Sequence, residues 1–313
     1  MTDLSCVEEY ALGAPTEVAE PATVVAHLRL LLAAEAASPR PADYIARVQQ
    51  DGMTAAWRKR MCEWMVHTGK AFELSVETVA CAVHYMDVYL SVLSADKIVL
   101  QLVSMVAMFV ASKFHETRPI VMEEMELLCQ NKYPRAEIVA MEKQLLHVLQ
   151  WKLNPPTPIA FARDLLTFES SPSIHAHLEE ATIELLEECS TDYSYLEFPS
   201  SVMAAAALEV VCTTQFGCAS PLATYAMGAL AFPSKLYKEC VGRMLTLYAA
   251  APEPELEALP VVASDICKPV RSASPTSIDV HEQSSSPSKS KKRRRSDATD
   301  DASPRKKLCV AAA

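Results

Sequence analysis

The sequence predicts an all-α protein: two tandem five-helix bundles, with one helix ahead of them and a disordered C-terminal tail behind. Three observations predict it. Hydrophobic residues make up 50% of the 313, yet Gly numbers only 6, and the long segments are rich in Ala, Leu, Met and Glu, which lose little freedom in a helix. Apolar residues recur at helical spacing through both halves of the chain. Midway, the doubled proline of LNPPTP (153–158) stiffens the backbone, because each proline fixes its own φ and pushes the preceding residue out of the helical region.

The elements follow in order. Val24, Val25, Leu28, Leu31 and Leu32 form one stripe of a first helix that starts near residue 23 and ends at SPRPADY. A second helix, over about 53–67, sets Trp57, Met61 and Trp64 on one face at i, i+4 and i+7. A third runs from a Ser75 cap to residue 90, and a fourth from a Ser94 cap to about residue 114. The fourth, DKIVLQLVSMVAMFVASKF, is apolar nearly all round, so its neighbours must surround it. Gln101 and Ser104 interrupt its apolar run, which falls short of about 18 residues and reads as buried, not membrane-spanning. Helices at 121–128 and 134–149 complete the first bundle, with Pro134 expected at the first helical position, where a missing N–H costs nothing.

Beyond the connector, helices are expected at 158–168, 174–190, 200–215, 221–230 and 234–250. Thr157-Pro158 and Ser220-Pro221 each read as a cap followed by the first helical residue. The alanine run of SSVMAAAALEVVCTTQF allows close approach of neighbouring helices, so the second bundle reads as a structural repeat of the first, with an unrelated helical domain as the alternative. After residue 252 the chain turns Pro-, Ser- and charge-rich and cannot bury enough apolar surface to offset the entropy of ordering. The expected division is 1–21, 22–153, 154–252 and 253–313.

Net charge is -10, but residues 289–308 carry nine Lys or Arg against three Asp, which leaves 20 basic and 36 acidic residues elsewhere. Such an acidic folded region lacks the basic face that phosphate contacts require, so nucleic acid is not an expected partner, and neither is a membrane. None of the ten Cys forms a CxxC pair, and most fall in apolar helical runs, which fits a reducing compartment. Asp3, Glu8 and Glu9 stand where a secretory leader would be basic and apolar. No two glycines lie closer than 11 residues, which removes GxGxxG and Walker loops, and GxSxG and HExxH are missing too. His175 and His177 are two residues apart, so on a helix they point to different faces and make a poor metal pair. No catalytic site, metal or cofactor is expected; the chemistry left is that of binding other proteins.

Four stretches carry a family resemblance: Trp64-Met65-Val66, AVHYMDVYLSVLS (82–94), LQLVSMVAMFVASKFHET (100–117) and MEKQLLHVLQWKLNPPTP (141–158). They resemble the cyclin box, and specifically that of D-type cyclins. The likeness covers about 22–158 well and continues more weakly, in register, through the second bundle. It implies a regulatory subunit without enzymatic activity that binds and activates a cyclin-dependent kinase and brings it to retinoblastoma-family protein at the G1/S transition. A kinase needs its strand Lys paired with a Glu on a mobile helix, and a rigid partner that grips this helix favours the active arrangement. The residues implied for that grip are Lys113 in ASKF and Glu142 in AMEKQLL. By local rules alone, Lys113 would complement its helix dipole and Glu142 would pair along its own helix.

The resemblance also implies a substrate-docking patch at WRKRMCEW, with Trp57, Met61, Trp64 and Gln101 in place. Simple packing of the three apolar residues into the bundle is the alternative. Arg60 stands where an aliphatic residue is usual, and His67 where a Glu would pair a docking Arg. Val88 stands where the family more often has Arg, altering a contact to the N-terminal helix.

LSCVE (4–8) fits LxCxE, by which D-type cyclins resemble other ligands of retinoblastoma pocket proteins. In an extended strand Leu4 and Cys6 would enter apolar pockets while Glu8 takes a polar anchor, and Asp3 and Glu9 would speed association with a basic rim. In the tail, Lys291, Lys292, Arg293, Arg294 and Arg295, with Arg305, Lys306 and Lys307, resemble a bipartite nuclear-import signal, which implies nucleus and cytoplasm. Ser274, Ser286 and Ser303 each precede Pro and are candidate phosphorylation sites; SPTSIDV (274–280) resembles the degradation switch of D-type tails. Kinase inhibitors and a ubiquitin-ligase receptor are further implied partners. A cyclin-fold transcription adaptor that binds DNA or the basal machinery is the rival reading, and the acidic folded region disfavours it.

Overall fold

The computed structural model describes residues 21–250, apart from 39–40, 42, 170 and 231–233. The expectations placed on residues 1–20 and 251–313, including the order of the tail, lie outside the described residues. Among the described residues every regular element is helical.

The first bundle consists of α2 (Tyr44–Arg47), α3 (Ala55–Ala71), α4 (Val76–Val92), α5 (Lys97–His115), α6 (Met122–Leu128) and α7 (Arg135–Val148). Its centre is α5, where Leu100, Met105, Val106, Met108 and their neighbours are buried on all sides, with α3, α4 and α7 packed around it. The helix is long and apolar enough to cross a membrane, but two thirds of it is buried inside the protein, as a core helix must be. The second bundle runs through α8 (Pro158–Leu166), α9 (Pro172–Thr191), a short 3-10 turn (Tyr193–Glu197), α10 (Ser200–Val211), a π-helical turn (Cys212–Phe216), α11 (Pro221–Leu230) and α12 (Ser234–Ala250). Here α10 is central: Ala204 to Ala207 are wholly buried, and small side chains let α8, α9, α11 and α12 pack against one helix. The helix ahead of both, α1 (Pro21–Ala37), belongs to the second core through Val24 and Leu28. Glu35 of α1 also accepts from the backbone N–H (3.0 Å) and the hydroxyl (2.6 Å) of Ser201, satisfying a donor in the first turn of α10.

The caps explain where helices start. Ser75, Thr157 and Ser220 accept from Thr78, Ala160 and Ala223 N–H at 3.1 Å each, as expected from Ser and Thr at these positions. Two expectations are corrected. Ser94 does not cap α5; Asp96 does, accepting from Ile98 and Val99 N–H at 2.9 and 2.8 Å, while the Ser94 hydroxyl donates to Asp51 at 2.7 Å. Pro134 is the residue before α7 and not its first helical residue, its carbonyl taking the N–H of Glu137 and Ile138. The short α2 and the 3-10 turn carry too few residues to show a period. Val88, where the absence of an Arg was expected to alter a contact to the N-terminal helix, is buried in the first core, whereas α1 packs on the second.

Candidate functional site

Lys113 sits in the last turn of α5 and Glu142 in the middle of α7, and the packing of these helices brings the two side chains into an ion pair. The Lys113 ammonium also lies over the Phe109 ring, 4.0 Å from its centre. Neither charge is sealed in: the side chains retain 37% and 18% exposure, and the adjacent Phe114 is 53% exposed. The result is an ammonium and a carboxylate held together at the surface beside an unburied aromatic ring. Such a pair contributes little to stability when exposed, but its geometry is ready to be shared with polar groups of a docking protein.

Trp57, Met61 and Trp64 lie along one side of α3, half-buried against the first core. Lys97, at the start of α5, places its ammonium 5.7 Å from the Trp57 ring. One turn on, Gln101 accepts from Lys132 at 2.8 Å and from the Tyr133 hydroxyl at 3.2 Å. Of the four expected patch residues, Trp57 is thus the one linked to the start of α5, through Lys97, while Gln101 is engaged by Lys132 and Tyr133. Arg60 and His67 are both exposed. Leu4, Cys6 and Glu8, the basic residues 291–295 and 305–307, and Ser274, Ser286 and Ser303 lie outside the described residues.

Sequence reasoning missed the most deeply buried charge. Arg58 and Asp87 are 1% and 2% exposed and form a two-pronged ion pair, Nε to Oδ1 at 2.8 Å and Nη2 to Oδ2 at 2.7 Å. The Tyr44 hydroxyl donates to the same carboxylate at 2.7 Å. The remaining nitrogen, Nη1, donates to the carbonyls of Ser190 and Thr191 at 2.9 and 3.1 Å, at the end of α9. Burial works against the guanidinium charge, but Asp87 and lesser neighbours together outweigh it, and its pKa stands well above the ordinary value. One side chain of the first bundle therefore grips the second. The signal was present in the sequence: Arg58 falls on the stripe of Cys62, Met65 and Gly69, and Asp87 lies between Met86 and Val88, two charges at positions that must be buried. Burial also pushes the Cys62 thiol up to about 12, which leaves it an inert hydrophobe.

Nothing in the described residues gathers three or more potential metal ligands. His175 approaches Glu179 at 4.0 Å, while His177 stacks edge-on to Phe216, so the two rings do serve different neighbours.

Each bundle matches a known family. The family described as the cyclin N-terminal domain matches residues 27–154, and that described as the cyclin C-terminal domain matches residues 156–264. Cyclin-B1-5 of Oryza sativa subsp. japonica is 32% identical over 220 residues, which are 70% of this chain and 47% of that protein. Cyclin-A3-3 of Arabidopsis thaliana is 33% identical over 168 residues, 53% of this chain and 51% of that protein. The chain spans about half the length of these relatives. A viral cyclin from herpesvirus saimiri shares the fold over 71% of this chain and 99% of its own, with a TM-score of 0.58 and 18% identity. With the two matches running through one bundle each and together through most of the sequence, the chain belongs to the cyclin family.

Proposed function

We propose that the chain is a D-type cyclin: the regulatory subunit of a cyclin-dependent kinase, which it activates and directs to retinoblastoma-family protein at the G1/S transition. The observation that carries the kinase-binding role is the Lys113–Glu142 pair, held at the exposed junction of α5 and α7 beside Phe114. These two side chains would bond polar groups of the kinase next to its mobile helix and favour the active state by binding it better. Support for the D class is the LSCVE motif, and the tail supplies the import-like cluster and the three Ser-Pro sites that go with a nuclear, phosphorylated regulator moving between nucleus and cytoplasm. The division of labour follows the expected boundaries: recruitment by 1–21, kinase grip by 22–153, support by 154–252 and regulation by 253–313. Inhibitors and a ubiquitin-ligase receptor would act on the same complex.

A second reading is favoured by the relatives, which carry A- and B-type names: a kinase regulator of that class, for which LSCVE is incidental. Co-expression with candidate kinases separates these outcomes. Lys113→Ala with Glu142→Ala is expected to weaken kinase recovery by about 2 kcal/mol or more, because the kinase groups that bond these two side chains lose their partners, with helicity unchanged. Leu4→Ala with Glu8→Ala is expected to lower phosphorylation of a retinoblastoma pocket fragment while sparing a generic peptide substrate. An unchanged ratio of the two rates favours the A/B reading; undiminished kinase binding by the Lys113 and Glu142 variant removes both.

A further inference from the structure

We propose that the cavity between the two bundles binds a neutral aromatic molecule of one or two rings that donates a single N–H or O–H to His84. The cavity has a volume of about 140 Å³. An apolar protein cavity of about 150 Å³ holds benzene, which sets the size of the occupant. The apolar wall is shared: Val66, Val79 and Val83 belong to the side of the first core, and Ile159, Leu186 and Met203 to that of the second. A ring seated here would touch both bundles at once.

The charged side chains of the wall are already engaged. Arg58 and Asp87 hold each other, Glu35 accepts from Ser201, Glu187 faces Lys70 at 3.2 Å, and Asp192 accepts from Ser194 N–H at 2.9 Å. His84, on α4, is not: its ring lines the cavity, and among the described residues it has no hydrogen-bond or ion-pair partner. Nor are its nitrogens sealed, since the side-chain atoms buried without a partner among the described residues are Glu77 Oε2 and Thr182 Oγ1. Burial lowers the His84 pKa below its ordinary 6.5, with Asp87 partly offsetting the shift, so the ring is neutral near physiological pH and one nitrogen accepts a hydrogen bond. Glu35 and Asp192 have no Lys or Arg against them among the described residues, which disfavours an anionic ligand. A cation would give up its hydration to an apolar wall. What fits all three constraints is an uncharged ring system with one donor.

Indole and indene have nearly the same shape and differ in one N–H, and each is titrated into the full chain by isothermal calorimetry. Indole is expected to bind about fivefold more tightly, the worth of one net hydrogen bond. His84→Leu is expected to bring the two affinities together, because the acceptor is gone while the wall stays apolar. Ala80→Leu, one turn before His84 on the same face of α4 and also on the wall, fills the space and is expected to abolish binding of both. Equal affinities in the unaltered chain, a preference for indole that His84→Leu retains, undiminished binding by a folded Ala80→Leu variant, or no binding of either compound up to about 1 mM would overturn the proposal. Should Ala80→Leu lose its helicity, the ratio measured on His84→Leu decides. The titrations need no kinase, so their failure and that of the proposed function are read separately.

Discussion

Arg58 and Asp87 carry the largest single-residue stake in this molecule. Each has its charge satisfied by the other, and Arg58 spends its third nitrogen on carbonyls of the second bundle. Removing one partner leaves the other charge buried and alone, so Arg58→Ala is expected to cost about 3–5 kcal/mol, read from the urea midpoint. Asp87→Ala in that background is expected to cost much less than it does alone, since the two substitutions remove one shared interaction. Gly69 shows a different constraint at the same scale. A Cβ there would come within 2.3 Å of Val79 Cγ2, and a β-branched side chain on a helix has little freedom to turn away. That close approach seats α3 on α4, and sequence alone gives no sign of why this position is glycine.

Between elements, α4 is tied to both ends of its surroundings. Glu116, just after α5, accepts from Ser75 N–H at 2.7 Å and the Thr78 hydroxyl at 2.6 Å, while Glu77 accepts the hydroxyl of Thr157, the residue that also caps α8. Glu77 Oε2 is buried without a partner. Burial raises the Glu77 pKa above 4.5, with the Thr157 hydrogen bond partly offsetting it. A raised acid binds its proton more tightly in the folded state, so this contribution is fully present below the unfolded pKa and is lost as pH climbs through the folded one. Glu77→Gln is therefore expected to be less pH-sensitive than the unaltered chain, the stability difference shifting in favour of the variant as pH rises from about 4.5 to neutrality. Denaturation midpoints at pH 4.5 and 7.5 check the sign. The capping residues at 75, 157 and 220 were legible because Ser and Thr compete for exposed N–H groups by local chemistry. Ser94 was misread because Asp96, two residues on, caps better once α5 is seated, and local sequence does not rank two adjacent candidates.

At the scale of the whole molecule, two cores share one surface. Alongside Arg58, α3 packs on α9, α4 packs on α8, and the Tyr193 hydroxyl accepts from Ile45 N–H at 3.0 Å and donates to Asp43 at 3.0 Å. The three tryptophans all lie in the first half of the chain, so fluorescence follows the first bundle while far-ultraviolet dichroism follows both. Coincident transitions by the two probes are expected for the unaltered chain, and separated ones for Arg58→Ala. Distinct transitions in the unaltered chain would refute the coupling. Composition and period by themselves determined that the chain is helical, that each bundle is built on an apolar central helix and that chemistry-bearing motifs are missing, because these depend on residues close in sequence. Lys113 and Glu142 were singled out by resemblance, 29 positions apart. Tertiary structure alone decided that they form a pair and that Arg58 reaches across to α9, because contact between distant residues depends on how helices cross, which no local pattern encodes.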